Sequence, residues 1–304
     1  MDILLTQTAL YLYLLALLLM LTRAFQPRLT PWVPSGALLL GALLQLAAII
    51  LRWRLLGWTP VTSLYEVIAY FCCGLALVIF FTFRKFDFPW VASLALALLA
   101  GTLSYALYGQ DTNVKMVVPA LRSHWMAIHV SSWCFSYSSF SLGFVASAAL
   151  LALRRLNLHP ALQERLSAIF YRLVLFGFPF HTLGLITGAV WAKNAWASPW
   201  FHDAKEWAAA ITWLIYAVYL HLHHRENKGA DWLGILGMAS IVFAFVGVNY
   251  IPSAQQSAHT YVQPGEPDLM PLFWMMSPFV MLALVLWGLG FWKNGLKTAT
   301  STRR

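Results

Sequence analysis

The sequence predicts an all-α polytopic membrane protein, a bundle of about eight or nine transmembrane helices with the N-terminus outside and the C-terminus cytoplasmic. Three observations carry this. The 304 residues are 60% hydrophobic and only 10% charged, with a mean hydropathy of +0.68, where a soluble domain carries about 25% charged residues. Apolar runs long enough to cross a bilayer, about 20 residues each, recur along the whole chain. The basic residues sit at the ends of those runs, where they act as topology signals.

Nine spans are expected, at residues 3–22, 32–51, 63–83, 90–108, 126–153, 173–190, 207–222, 232–250 and 272–292. The first lacks the basic leader and small-residue cleavage site of a signal peptide and reads as a retained helix. Trp32, Trp90, Trp232 and Trp292 fall at span ends, where interfacial aromatics gather. The seventh is the shortest. Residues 156–170, with Pro160 and interspersed charges, read as a separate short amphipathic helix on the cytoplasmic face.

Orientation follows from Lys and Arg in the short loops. With the N-terminus outside, the inner segments hold Arg23, Arg28, Arg84, Lys85, Arg154, Arg155, Arg165, Arg172, Arg225, Lys228, Lys293, Lys297, Arg303 and Arg304. The outer loops hold only Arg52, Arg54, Lys115, Arg122, Lys193 and Lys205. The net charge of +9 is thus spread over span ends and gives no basic face for nucleic acid. Cys72, Cys73 and Cys134 lie in apolar segments without a C-x-x-C, which argues against a redox dithiol or a zinc knuckle and for small buried hydrophobes.

The stretch WAKNAWASPWFHDAKEW, residues 191–207, holds four tryptophans among charges, on the outer side. His129 opens the fifth span on that side and shares a helix face with Trp133 and Tyr137, at i, i+4 and i+8. His259 lies in the last outer loop. Each residue taken alone fits an interfacial anchor. Together they fit haem: two imidazoles can take both axial positions of its iron, aromatic rings cover the apolar porphyrin, and Lys193, Lys205 or Arg122 can pair with its propionates. On the inner side, His221 is still attached to the seventh span, while His223 and His224 read as a solvated helix end. His181 and Glu66 are ionisable groups within spans, each either a packing group or a functional one.

Residues 191–207 also resemble the tryptophan-rich WWD signature of haem-handling proteins. Trp191, Ala192, Trp196, Trp200, Asp203, Lys205 and Glu206 match it in register, while Ala197, His202 and Ala204 depart from it. TLGLITGAVWA before the stretch and ITWLIYAVYLH after it extend the likeness, as do TSLYE, HVSSWCFSY and GVNYIPSAQQSAHTYV. Over residues 60–261 the chain looks like the CcsA family of cytochrome c biogenesis proteins, also called ResC, of the system II pathway.

The apolar runs put two N-terminal helices in residues 1–59, and the resemblance implies a cytochrome c assembly domain in residues 60–304 with a WWD-type outer loop at 191–207. It maps the family's outer histidines onto His129 and His259 and its inner membrane histidine onto His221, as ligands of haem iron. It implies a subunit of a holocytochrome c synthase, or haem lyase, that moves haem b outward with a CcsB/ResB-type membrane partner and presents it to the CxxCH thiols of apocytochrome c. The expected setting is a bacterial inner membrane rather than a thylakoid, with the site on the outer, periplasmic side. Alternatives are a b-type haem quinol-linked electron-transfer subunit, a system I CcmC-like haem-handling protein, and a transporter without a cofactor.

Overall fold

The computed structural model describes residues 1–26, 28–199, 204–225, 228–245 and 248, and every described element is helical. Among the described residues eight α-helices follow one another: α1 Asp2–Phe25, α2 Trp32–Leu56, α3 Leu64–Phe83, α4 Pro89–Gly109, α5 His124–Leu156, α6 Pro160–Trp196, α7 Ala204–His224 and α8 Trp232–Phe245. Six of them, α1 to α6, are long and apolar enough to cross a membrane, so the chain is an integral membrane protein. The predicted ninth span, 272–292, lies outside the described residues, as does the last part of the eighth.

Local chemistry sets the helix ends. Gly57, at φ +71°, closes α2 in the left-handed region that glycine enters without a Cβ penalty. Ser63 caps α3: its hydroxyl accepts the Glu66 N–H, and the Glu66 carboxylate accepts the Ser63 N–H in return. Pro89 and Pro160 stand in the first turns of α4 and α6, where a missing N–H costs nothing.

The sixth helix differs from expectation. Residues 160–170 do not form a separate helix but are the first turns of α6, which runs for 37 residues. At 1.5 Å per residue this is about 55 Å, well beyond a hydrocarbon core of about 30 Å. The apolar window ends where charges begin, yet nothing after Pro160 breaks the helix. A tight turn with Asn157 and His159 at positive φ reverses the chain between α5 and α6. Pro179 lies inside α6 without ending it.

The helices run up and down. One end of the bundle, here the upper end, holds the start of α1, the end of α2 and the start of α3, tied by Arg52 on α2 to Asp2 and Glu66. At the lower end the Arg23 guanidinium binds both carboxylate oxygens of Asp87, Arg154 pairs with Asp231, and Tyr171 stacks on His223. Helix α5 is central, packed by α3, α4, α6 and α8.

The α5–α6 interface is a matched set of aromatic and glycine positions. A Cβ at Gly177 or Gly188 would strike Phe140 or His129, and one at Gly184 would crowd Trp133. The two series advance in opposite directions by equal steps, as one antiparallel register requires. His181 meets Ser136 in that same register.

Candidate functional site

The upper end opens into a cleft between α5, α6, α7 and α8, with about 950 Å³ of unfilled space including its mouth. His129, Trp133 and Tyr137 of α5 line it together, as their shared helix face predicts, with Gly188 and Trp191 of α6, Lys205 and Glu206 of α7, and Phe245 of α8. Its walls are mostly apolar and its few polar groups come from separate helices, the usual make-up of a site for a large apolar ligand.

His129 is held from one side. Its Nδ1 lies 2.7 Å from the Gly184 carbonyl oxygen, and the Trp133 indole nitrogen lies 3.1 Å from the same Nδ1. One nitrogen cannot donate to the first and accept from the second. A carbonyl oxygen only accepts, and the shorter contact is the one to it, so Nδ1–H donates to Gly184. That tautomer places the ring's lone pair on Nε2. A histidine whose second nitrogen is committed to a carbonyl is the arrangement that orients metal-binding imidazoles. Gly188 permits it: the ring sits where a Cβ at that position would be, 2.5 Å from Cε1.

Trp191 is 2% exposed, and its indole N–H donates to the Ala120 carbonyl at 3.0 Å, in the connection between α4 and α5. Its ring lies within 18° of parallel to the His129 ring, with centroids 6.2 Å apart. Trp196 meets Trp191 edge to face at 4.5 Å and backs it. Both pack with a buried apolar cluster of Val61, Val67, Met126, Val130 and Cys134, of which Val67, Met126 and Val130 also line the cleft. The Lys205 ammonium stands over the Phe245 ring, 5.7 Å from its centroid.

The tryptophan-rich stretch is therefore not a loop along its length. Trp191 and Trp196 belong to the last turns of α6, and Lys205, Glu206 and Trp207 to the first turn of α7. Helical periodicity continues through the charges at Lys193 and Lys205, which the polarity of the stretch had suggested were in a connection. Trp200, His202, Asp203 and His259 lie outside the described residues. His221 is exposed near the lower end of α7, many turns from the Lys205 at its upper end. Lys193 is exposed on α6, and Arg122 donates to the Val117 carbonyl in its own connection.

Two groups read as either packing or functional have their polar atoms engaged within the bundle. His181 is fully buried beneath Trp133, with its Nδ1 3.2 Å from the Ser136 hydroxyl and its Nε2 3.2 Å from the Ala209 carbonyl. Glu66 caps α3, pairs with Arg52 and, with Asp2, Thr6 and Tyr65, lines a small pocket apart from the cleft. Arg52, counted above among outer-loop cations, is a buried residue of α2. Sequence reasoning missed the glycine notch at Gly184 and Gly188, whose signal is two glycines one turn apart in TLGLITG. It also missed the cap at Ser63, whose signal is S-x-x-E.

A family profile described as "Cytochrome C assembly protein" matches residues 61–254. The chain is 32% identical over 241 residues to the cytochrome c biogenesis protein CcsA of Prochlorococcus marinus (strain MIT 9312), covering 67% of this chain and 77% of that protein. It is 33% identical over 278 residues to CcsA of Synechococcus sp. (strain RCC307), covering 78% of this chain and 89% of that one. Among solved structures, cytochrome c haem lyase CcmF superposes with a TM-score of 0.66 at 21% identity, over 94% of this chain. The present chain spans 50% of the length of that structure, so the likeness is one of fold.

Proposed function

The chain belongs to the cytochrome c assembly protein family, of the CcsA type, and from that membership we propose that it holds haem at its upper cleft for attachment to apocytochrome c. The observation that supports this best is His129, fixed by the Gly184 carbonyl so that Nε2 is the coordinating nitrogen, in an aromatic cleft that also holds a cation. Haem is substrate and cargo here. His129 takes one axial position of its iron and His259 the other, which occupies both and limits reaction with oxygen. Lys205 pairs with a propionate. Glu206 lines the cleft, and the motif resemblance adds Trp200 and Asp203 as further haem-binding residues.

The lone pair on Nε2 lies in the imidazole plane, so a porphyrin ligated there stands perpendicular to that plane. Because Trp191 is within 18° of parallel to the His129 ring, it meets the porphyrin close to edge-on. In this reading Trp191 is a side wall that sets the rotation of the ligand, backed by Trp196, rather than a surface on which haem lies flat.

The route to the cleft starts at the lower end, where His221 takes haem, with a CcsB/ResB-type partner chain beside it. The Lys and Arg asymmetry favours the lower end as cytoplasmic and the upper end as periplasmic, in a bacterial inner membrane. An apocytochrome CxxCH segment then arrives at the upper end. Its histidine displaces one axial ligand, and each thiol S–H adds across one vinyl C=C without net loss of atoms. The chain contributes positioning and exclusion of side reactions. A b-type electron-transfer subunit would need facing histidines at membrane depth. His181 is poorly suited, because both of its ring nitrogens are engaged by Ser136 and Ala209.

The test is cytochrome c yield in cells that depend on this chain. His129→Ala and His259→Ala should each abolish covalent haem in a CxxCH reporter while the membrane protein accumulates normally. Unchanged yield in both would refute the ligand roles.

A further inference from the structure

The haem cleft is lined by α5 to α8 and by Val67 of α3, yet the structure holds its tryptophan wall in place from α2. Arg52 is 3% exposed and all of its donating nitrogens are used. Nε donates to Glu66 and one terminal nitrogen to Asp2, each at 2.8 Å. The other terminal nitrogen donates to the carbonyls of Thr112 and Asn113, each at 3.0 Å. The second Glu66 oxygen accepts the Thr62 and Ser63 N–H groups and the Thr62 hydroxyl.

One guanidinium therefore fixes two chain segments. The first, 61–66, carries Val61 into the apolar cluster that packs with Trp191. The second, the connection from Thr112 to Ser123, carries Leu121 into the same cluster and offers the Ala120 carbonyl to the Trp191 indole. A single turn at Pro119–Leu121 presents that carbonyl. Asp2 and Arg52 lie outside the matched residues 61–254, so nothing in the family match assigns them a part in the site.

We propose that Arg52, oriented by Asp2 and Glu66, is a positioning residue for the haem cleft: it sets the Trp191 wall by clamping the 112–123 connection and the 61–66 segment. The α1–α2 hairpin is then a working part of the site as well as packing. The inference rests on the upper cleft being the haem site. A lysine cannot replace Arg52, because a compact ammonium with tetrahedral donors does not reach two carboxylates and two carbonyls at once.

The experiment uses the full chain purified in detergent, as wild type, Arg52→Gln, Arg52→Lys, Trp191→Phe and the Arg52→Gln/Trp191→Phe double variant. Amide hydrogen exchange without haem reads the clamp, and haem titration reads the cleft. Arg52→Gln and Arg52→Lys should speed exchange at Leu121, Arg122 and Ser123 about tenfold. Each should also weaken haem binding several-fold and shift its low-spin bands. Trp191→Phe, which keeps a ring but loses the indole N–H, should weaken haem comparably, and the double variant should be no weaker than the worse single one. Additive losses, or unchanged exchange at 121–123, would overturn the proposal. So would a lower melting temperature with unchanged haem affinity and bands. If Arg52→Gln does not fold, Arg52→Lys and Trp191→Phe with their own double variant decide the same question. If the wild type takes no haem, the function above fails, while the exchange arm still tests the clamp.

Discussion

Replacing Gly188 by alanine separates the helix from the site it supports. The new Cβ would lie 2.5 Å from the His129 Cε1 and 2.6 Å from its Nδ1, where ordinary contact begins at 3.4 Å. The imidazole must therefore move by about 1 Å, and the 2.7 Å bond from Nδ1 to the Gly184 carbonyl goes with it. Loss of such an outer partner lowers metal affinity about 10- to 100-fold, which is about 1.4–2.7 kcal/mol. Folding responds differently. Alanine in a helix interior gains about 0.5–1 kcal/mol over glycine, while overpacking costs about 1–3 kcal/mol, so the net loss in stability is at most about 2.5 kcal/mol. The assay is haem titration of Gly188→Ala followed by absorption, beside a thermal melt of the same preparation. The expected result is a Kd raised 10- to 100-fold with a melt close to wild type. Wild-type affinity with unshifted low-spin bands would refute the claim that the Gly184 carbonyl and the Gly188 notch set the ligand.

Three other outcomes are expected. His181→Ala should cost about 2–4 kcal/mol by thermal unfolding, because it opens a cavity under Trp133 and strips a partner from Ser136, while the haem bands remain; loss of haem with full stability would make His181 a ligand instead. Arg154→Gln should destabilise by about 3–5 kcal/mol, since it leaves the buried Asp231 carboxylate without its ion partner, and Asp231→Asn in the same background should recover part of that; no recovery in chemical denaturation would refute the pairing argument. The Asp87 carboxyl is held below its ordinary range by the hydrogen bond from Arg23. Its folded pKa is depressed, so the stability it adds is present above its ordinary pKa near 3.8 and is lost as pH falls through the lower folded value. Because Asp87 is 64% exposed the increment is under about 1 kcal/mol, and a melting series from pH 6 to pH 2 should show it in wild type and not in Asp87→Asn.

The parts of this fold legible in the sequence are those governed by neighbours along the chain. Apolar runs marked α1 to α5 within a few residues, and the i, i+4, i+8 spacing of His129, Trp133 and Tyr137 put all three in one cleft. Where charge was taken as a sign of a helix end, the reading was misled. Residues 160–172 and 191–196 are polar or mixed yet helical, because α6 extends past the apolar layer and water tolerates its charged turns. Features that depend on register between helices were not legible. Nothing near Arg52 in the chain indicates that Thr112 and Asn113 accept from it. Nothing near Gly184 indicates that its carbonyl meets an imidazole 55 residues away. The nearness of Trp191 to His129 was legible from their shared outer side and the motif resemblance, and the structure adds the angle between the two rings.

The measurement that tests the central claim most directly is the absorption spectrum of the purified protein, co-expressed with a CcsB/ResB-type chain, as wild type and as His129→Ala, before and after added imidazole. The account predicts haem with split low-spin bands in the wild type, their loss in the variant and their return when imidazole fills the vacated axial position. Wild-type bands in His129→Ala without imidazole would contradict it, because the iron would then be held by residues other than the one that Gly184 and Gly188 position.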